Sequence, residues 1–495
     1  MVWRILVWTI LSLLYAGVIF VIISEKGDSG RKVGWLFIIA VLPLLGALLY
    51  ILFGINYRHH PLFRRRHQRS IDAFSQGADE SLKARLFGRE DEGLVREDFA
   101  PLARLLAVND LPTVSASNSL EIITNGPRKY ELLMADILAA KESIHVEYFH
   151  FGNDEGGMAV REALMQKARE GVKVRFLNEN LANLPILSGY YDKMREAGVE
   201  VEKFTDPKRY LINFATKINY RDHRKVVVID GKIGYTGGMN INDHYFKLWR
   251  DTHLRITGPA VASMQYMFLD TWLTAGGTLD RPYMDYFPLL PEDGGGNGIE
   301  EFTSISSVLP SLSGKLVQIT PDEPDSAYPL IQMAHEWAIS HARKYIWLQT
   351  PYFVPPEPLL NTMKVAALSG VDVRLMVPAR TDNFFMRPVN ESFYGECLDA
   401  GIRIFLRKGE FIHSKTFVCD DYLSTIGTAN IDFRSFDLDY EVNTFIYDEE
   451  VALLNRRIFE ADMALCEELT SEVWSRRPWY RRLAEYIMRL FAPML

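Results

Sequence analysis

The chain has few of the residues that cross-link a fold or hold a metal. Its 495 residues include three cysteines, Cys397, Cys419 and Cys466, with no Cys-x-x-Cys pair. An odd, scattered set gives neither a disulfide framework nor a zinc site, and reduced thiols in a cytoplasmic domain are expected. No clustered Asp or Cys ligands accompany the histidines, so no metal is expected. A basic surplus is missing too, because 55 lysines and arginines face 63 acidic residues, a net charge of -8. That balance argues against a general nucleic-acid binder, although the charge is unevenly spread. Charge is absent altogether from residues 5–23 and 33–55, stretches of 19 and 23 residues.

What is present follows from those gaps. At about 1.5 Å per residue, each uncharged stretch is long enough for a hydrocarbon core of about 30 Å. The two are expected to form a transmembrane hairpin within residues 1–57. A cleaved signal peptide is disfavoured, since VIISEKG lacks a small-x-small site and a second apolar stretch follows at once. Trp3, Trp8, Trp35, Tyr50 and Tyr57 fall where aromatic anchors are expected, and Pro43 is a candidate kink. Arg58, Arg64, Arg65, Arg66 and Arg69 follow the second stretch, against Lys26, Arg31 and Lys32 between the two. The positive-inside rule places the larger cluster, and the bulk of the chain, on the cytoplasmic side. With 48% hydrophobic and 24% charged residues, the chain as a whole has the composition of a folded protein.

The pattern after a basic, partly helical connector at 58–118 is α/β. Residues 143–151 (SIHVEYFHF) read as a strand, 157–169 as a helix and 172–177 as a strand. The order returns at 345–353 (YIWLQTPYF), 358–368 and 371–377, and GVKVRFL at 171 nearly repeats as GVDVRLM at 370. A duplicated domain is expected, with halves at 119–285 and 315–470. A glycine- and serine-rich linker at 286–314 joins them.

The duplication carries chemistry. HRKVVVIDGKIGYTGGMN sets His223, Lys225, Asp230, Gly237 and Asn240 at the same spacing as His413, Lys415, Asp420, Gly427 and Asn430 in HSKTFVCDDYLSTIGTAN. Asp251 follows His223 by 28 residues, and Glu441 follows His413 by 28. One residue between His and Lys puts both side chains on one face of a strand. Asp230 and Asp420, at the strand ends, read either as turn caps or as catalytic groups, with capping the simpler reading. A neutral imidazole can attack phosphorus, and a protonated one can give a proton to the leaving alkoxide. Lys225, Lys415, Asn240 and Asn430 are expected to hold the non-bridging oxygens. Gly237 and Gly427 are expected to let backbone approach the phosphate. Asp251 and Glu441 are each expected to take the Nδ1 proton of the histidine in their own copy.

These two stretches resemble the twin HKD motifs of the phospholipase D superfamily. WLFIIAVLPLLGALLYILFG, VEYFHF and QTPYFVP are similar to segments of the bacterial cardiolipin synthases of that superfamily. The resemblance runs from about Trp35 to Glu441. It implies two similar α/β halves about a pseudo-two-fold axis, with both histidines in one central cleft. It also implies metal-free and cofactor-free phosphatidyl transfer between two phosphatidylglycerols, giving cardiolipin and glycerol. By analogy His223 is the nucleophile and His413 the acid/base. One departure is Gly238 and Thr428, where relatives often carry Ser after the motif glycine, so a hydroxyl contact to phosphate is missing from the first half.

The carboxyl terminus, PWYRRLAEYIMRLFAPML, spaces Trp479, Leu483, Tyr486, Ile487, Leu490 and Met494 along one helical stripe. Over 471–495 this fits either an interfacial helix on anionic lipid or a helix packed on the protein's own core. Competing functions are a membrane-bound phospholipase D using water as acceptor, a nuclease, and an inactive scaffold. The hairpin, which keeps the cleft at the bilayer among phosphatidylglycerol and other anionic phospholipids, favours transfer over hydrolysis. The two spans and acidic net charge disfavour a nuclease, and two intact half-sites disfavour a scaffold.

Overall fold

The computed structural model describes residues 2–24, 29–54, 68–108, 111–183, 188–204, 220–288, 312–383, 386–490 and 492. The central element is one long sheet through both halves. Its order from one edge is Cys466–Leu469, Arg403–Arg407, Asp372–Pro378, Tyr345–Gln349, Thr416–Cys419, Leu423–Gly427, Asp439–Tyr447 and Leu312–Asp322. It continues through Ser115–Ile123, His253–Thr257, Ile233–Gly237, Lys225–Ile229, Ser143–Tyr148, Lys173–Glu179 and Glu200–Phe204. From Arg403–Arg407 to Glu200–Phe204 the order is a palindrome. It folds about the antiparallel pair of Ser115–Ile123 with Leu312–Asp322. Ser143–Tyr148 runs parallel to Lys173–Glu179 and antiparallel to Lys225–Ile229, and Tyr345–Gln349 has the same two relations to its neighbours.

Local sequence explains the repeated unit. The strands are apolar or β-branched runs buried on both faces, so Lys225–Ile229 and Thr416–Cys419 are buried at every position. Helices Glu155–Arg169 and Glu357–Leu368 return the chain between parallel strands, the first capped by the Asp154 carboxylate on the Gly157 amide. Separate apolar clusters fill the two halves, one around Val146, Phe176 and Met239, the other around Leu348, Leu375 and Phe417.

Three features depart from the sequence reading. The first half begins earlier than residue 119, because strand Ser115–Ile123 takes in the end of the expected connector. The connector itself is built into the domain: Leu82 and Leu86 pack with Trp272, and Leu102, Ala103 and Leu106 join the core of the second half. The second apolar stretch is not one helix. Ser29–Val41 stops at Leu42, Pro43–Leu49 restarts, and Tyr50–Gly54 is wound wider. Pro43 lacks the amide that would continue the helix and pushes Leu42 out of helical geometry, to φ -129° and ψ 73°. Helix Val2–Ser24 packs against these pieces through Ile22, Trp35, Ile39 and Tyr50. Among the described residues no helix is long and apolar enough to cross a membrane. Tyr57, most of the linker, the Arg58–Arg66 cluster and Met494 lie outside the described residues.

Candidate active site

Two short parallel pairings bring the halves together at the site. Arg221 and Asp222 pair with Asp439 and Tyr440 of the second half, and Phe411 and Ile412 pair with Trp249 and Arg250 of the first. The His223 amide therefore donates to the Tyr440 carbonyl (3.0 Å), and the His413 amide to the Arg250 carbonyl (2.7 Å). One residue further along, each ring meets a carboxylate of the opposite copy. His223 Nδ1 lies 2.8 Å from Glu441 Oε1, and His413 Nδ1 lies 2.8 Å from Asp251 Oδ2. The expected pairing within each copy is thus corrected to a crossed one. Its cause is the lead-in to each motif, which adds a strand to the other half.

Both lysines serve one cluster. Lys225 Nζ donates to the His223 carbonyl (2.6 Å), and Lys415 Nζ to the His413 carbonyl (2.6 Å) while lying 3.1 Å from His413 Nε2. Burial, then Lys225 and Lys415, pushes the His223 imidazole well below its usual range. Burial and Lys415 bring His413 down to about 4. Both shifts favour the neutral imidazole. Burial lowers Lys225 to about 8 and Lys415 to about 7, against the pull of Asp251 and Glu441 on both. Glu441 is raised by burial to about 7. A carboxylate engages Nδ1 of each ring, which leaves Nε2 of His223 for chemistry and sets Nε2 of His413 beside the Lys415 ammonium.

A neutral, carboxylate-held imidazole paired with a second one is a device for covalent phosphoryl or phosphatidyl transfer. The comparisons agree. Residues 133–272 and 337–463 match the family described as "Cardiolipin synthase, PLD-like domain", and residues 6–54 match "Phospholipase_D-nuclease N-terminal". The chain is 36% identical to the major cardiolipin synthase ClsA of Bacillus subtilis, with 98% of each chain covered. The chain belongs to the cardiolipin synthase family. It is also 34% identical to the cardiolipin synthase of Oceanobacillus iheyensis over 96% of each chain. The phosphatidylserine synthase of Haemophilus influenzae shares the fold at 17% identity and a TM-score of 0.55, covering 76% of this chain and 95% of that one.

Within this cardiolipin synthase fold, several expected site residues have other work. Asp230 and Asp420 sit beyond the strands that Lys225 and Thr416 begin, with Asp230 about 16 Å of strand from Lys225. Asp230 accepts the amides of Lys141, Glu142 and Ser143 at 2.7–2.8 Å, and Asp420 those of Arg343, Lys344 and Tyr345 at 2.6–2.9 Å. Both have positive φ, 52° and 50°, and cap the turn rather than join the histidine cluster. Asn240 Nδ2 donates to Tyr245 Oη (2.9 Å), and its Oδ1 accepts the His150 amide (3.2 Å). Asn430 has a buried side-chain oxygen without a partner among the described residues.

Gly237 and Gly427 make room for the neighbouring strand. A Cβ would lie 2.6 Å from the His253 Cα at Gly237, where φ is 139°, and 1.9 Å from Asn443 Oδ1 at Gly427. The departure at 238 and 428 also has a physical reason. The Thr428 hydroxyl donates to Glu441 Oε2, whereas a Cβ at Gly238 would stand 2.1 Å from Asp251 Oδ1. The second half orients its carboxylate with a hydroxyl, and the first gives its carboxylate the space.

Sequence reasoning passed over several neighbours. Tyr245 Oη lies 3.3 Å from His413 Nδ1, and the Trp249 ring centre lies 5.3 Å from that imidazole. Phe149 stands edge-on to His223 at 4.8 Å. Arg224, the middle residue of the first motif, reaches the Glu441 carbonyl (3.1 Å), and Arg250 forks onto Asp462 (3.1 and 2.7 Å) while holding Ser414 (3.2 Å). The repeat itself signals some of these positions, since Asp439 follows His413 by 26 residues as Trp249 follows His223. Asp439, Glu441 and His223 each offer a ligand atom within 4.8 Å of the others. Geometry thus assembles a metal-capable group that the sequence did not suggest. Its two carboxylates already act on Lys225 as its counter-charges.

Proposed function

We propose that this enzyme moves a phosphatidyl group from one phosphatidylglycerol to another, releasing glycerol and forming cardiolipin. The observation that carries the reading is the pair of buried, carboxylate-held histidines sharing one cluster with two lysines. His223 Nε2 attacks phosphorus, the bond to the departing glycerol oxygen breaks, and His413, drawn into its protonated form by the bound phosphodiester anion and Asp251, supplies that oxygen with a proton. A second phosphatidylglycerol then gives its hydroxyl proton to His413. Its oxygen bonds to phosphorus, and the P–N bond returns its electron pair to His223. Glu441 stabilises the charge that forms on His223, and Asp251 does the same for His413. Lys225 and Lys415 meet the anionic oxygens of the phosphodiester. Deep burial of both rings favours a lipid alcohol over water as acceptor.

The amino-terminal segments act as a membrane hairpin in this reading, with the catalytic part on the cytoplasmic side. Support comes from the family match over residues 6–54 and from outward apolar side chains such as Leu13, Phe20, Phe37 and Leu44. An exposed apolar face of that extent is suited to lipid, not water. Purified enzyme given phosphatidylglycerol alone should form one glycerol per cardiolipin. Phosphatidic acid as the main product would overturn the transfer reading.

A further inference from the structure

The carboxyl-terminal helix Trp479–Arg489 is mounted with Glu485 and Arg489 turned inward. Glu485 is 3% exposed and accepts the Arg477 guanidinium at 2.9–3.1 Å. Arg489 donates to the Ser392 carbonyl (2.9 Å), pairs with Glu396 at 2.5 Å and covers the Phe393 ring at 4.4 Å. These contacts fix the helix on Met386–Asp399. The apolar stripe points away: Trp479, Leu483, Tyr486, Ile487 and Leu490 are exposed, the first by 73% and the last by 77%. Core packing, one of the two readings of this segment, would have buried that stripe. The protein instead holds it out with ion pairs.

A cavity of about 240 Å³ opens beside the helix, at the sheet edge formed by Arg403–Arg407 and Cys466–Leu469. Arg387, Asn390, Tyr394, Trp474, Arg477 and Arg481 line it. Arg387 is paired with Glu391 and Arg477 with Glu485, while Arg481 has no ion pair among the described residues. Arg476, also at the rim, pairs with Glu472 where both side chains are about three-quarters exposed, a contact that exchanges readily. The catalytic histidines lie elsewhere, where the two halves meet.

We propose that this cavity and stripe form a second lipid site that takes an anionic phospholipid of the bilayer. The stripe enters the interfacial layer, with Trp479, Tyr480 and Tyr486 as amphipathic anchors. The headgroup phosphate lodges between Arg481 and Arg476, and the local charge favours it: residues 476–489 carry Arg476, Arg477, Arg481, Arg482 and Arg489 against Glu485. The proposal rests on the reading of the enzyme as one that works at a bilayer.

The test uses full-length enzyme in nanodiscs containing a phosphatidylglycerol with a photoreactive group near its phosphate. Peptides are mapped after irradiation, and cardiolipin formation is measured in detergent micelles in parallel. Labelling should appear on residues 471–489 and on 386–394. It should fall roughly fivefold for each of Arg476→Ala and Arg481→Ala, the effect of about one cation near an anionic surface. Micellar kcat should be unchanged in both variants. Trp479→Ser with Leu483→Ser, at exposed positions that cannot disturb the core, should reduce the same labels. Absence of label there, label indifferent to the arginines, or cross-linking of the helix to a second copy of the chain would each overturn the proposal. Absence of this label from unmodified enzyme that still forms cardiolipin defeats this site alone, whereas no cardiolipin from unmodified enzyme defeats the catalytic reading instead.

Discussion

Replacing Glu441 by Gln isolates what the crossed carboxylate contributes. The substitution keeps shape and an acceptor oxygen 2.8 Å from His223 Nδ1, but removes the charge. With charge centres about 4 Å apart and an effective dielectric near 20, the lost attraction for a cationic His223 is about 4 kcal/mol. Each 1.36 kcal/mol is tenfold in rate, so kcat should fall by roughly 10²- to 10³-fold. Asp251→Asn should do the same through His413, where the Nδ1–Oδ2 distance is also 2.8 Å. Rate alone does not tell which histidine each carboxylate serves. The decisive assay is the low-field Nδ1 proton signal of histidine-labelled enzyme, assigned with His223→Gln and His413→Gln. Glu441→Gln should displace the His223 signal and spare that of His413, and Asp251→Asn the reverse. Displacement of the His413 signal by Glu441→Gln would refute the crossed pairing and restore pairing within each copy.

The pH profile follows from the buried charges. Glu441, raised to about 7 by burial, takes up a proton as pH falls through that value, so kcat/KM should decline on the acid side with a midpoint near 7. On the alkaline side Lys415 and Lys225, held at about 7 and about 8, lose their charge as pH rises. A bound phosphodiester anion favours their protonated forms, so the alkaline limb of kcat should lie at higher pH than that of kcat/KM. Asp230→Asn and Asp420→Asn should each lower stability by about 1–3 kcal/mol, read as a lower Tm, while folded enzyme keeps its kcat, because three amides lose a charged acceptor. Gly238→Ala should lower kcat by forcing Asp251 aside, whereas Thr428→Ser should retain activity and Thr428→Val should lose it.

The repeat of His223–Asn240 at His413–Asn430 made the two half-sites legible, and the twin strand-helix-strand units made the duplicated fold legible. Strands expected at 143–151 and 172–177 appear as Ser143–Tyr148 and Lys173–Glu179, and the helix expected at 157–169 as Glu155–Arg169. The crossing was not legible, because Asp251 and Glu441 stand at equal distances along the chain from their own histidines. Only the pairing of Arg221–Asp222 with Asp439 and Tyr440, a contact between distant segments, decides the partner. The same holds for the glycines. A motif places Gly237 and Gly427, but the neighbouring strand that makes them necessary comes from His253 and Asn443. Pro43 was visible as a breaker in sequence, yet the restart at Pro43–Leu49 depends on how the segments pack on helix Val2–Ser24.

Acid-quenched turnover of phosphatidylglycerol, followed by peptide mapping for a phosphatidyl adduct, tests the proposed chemistry most directly. The adduct should sit on His223, vanish in His223→Ala and still form in His413→Ala. An adduct on His413, or turnover with no adduct on either histidine, would contradict it.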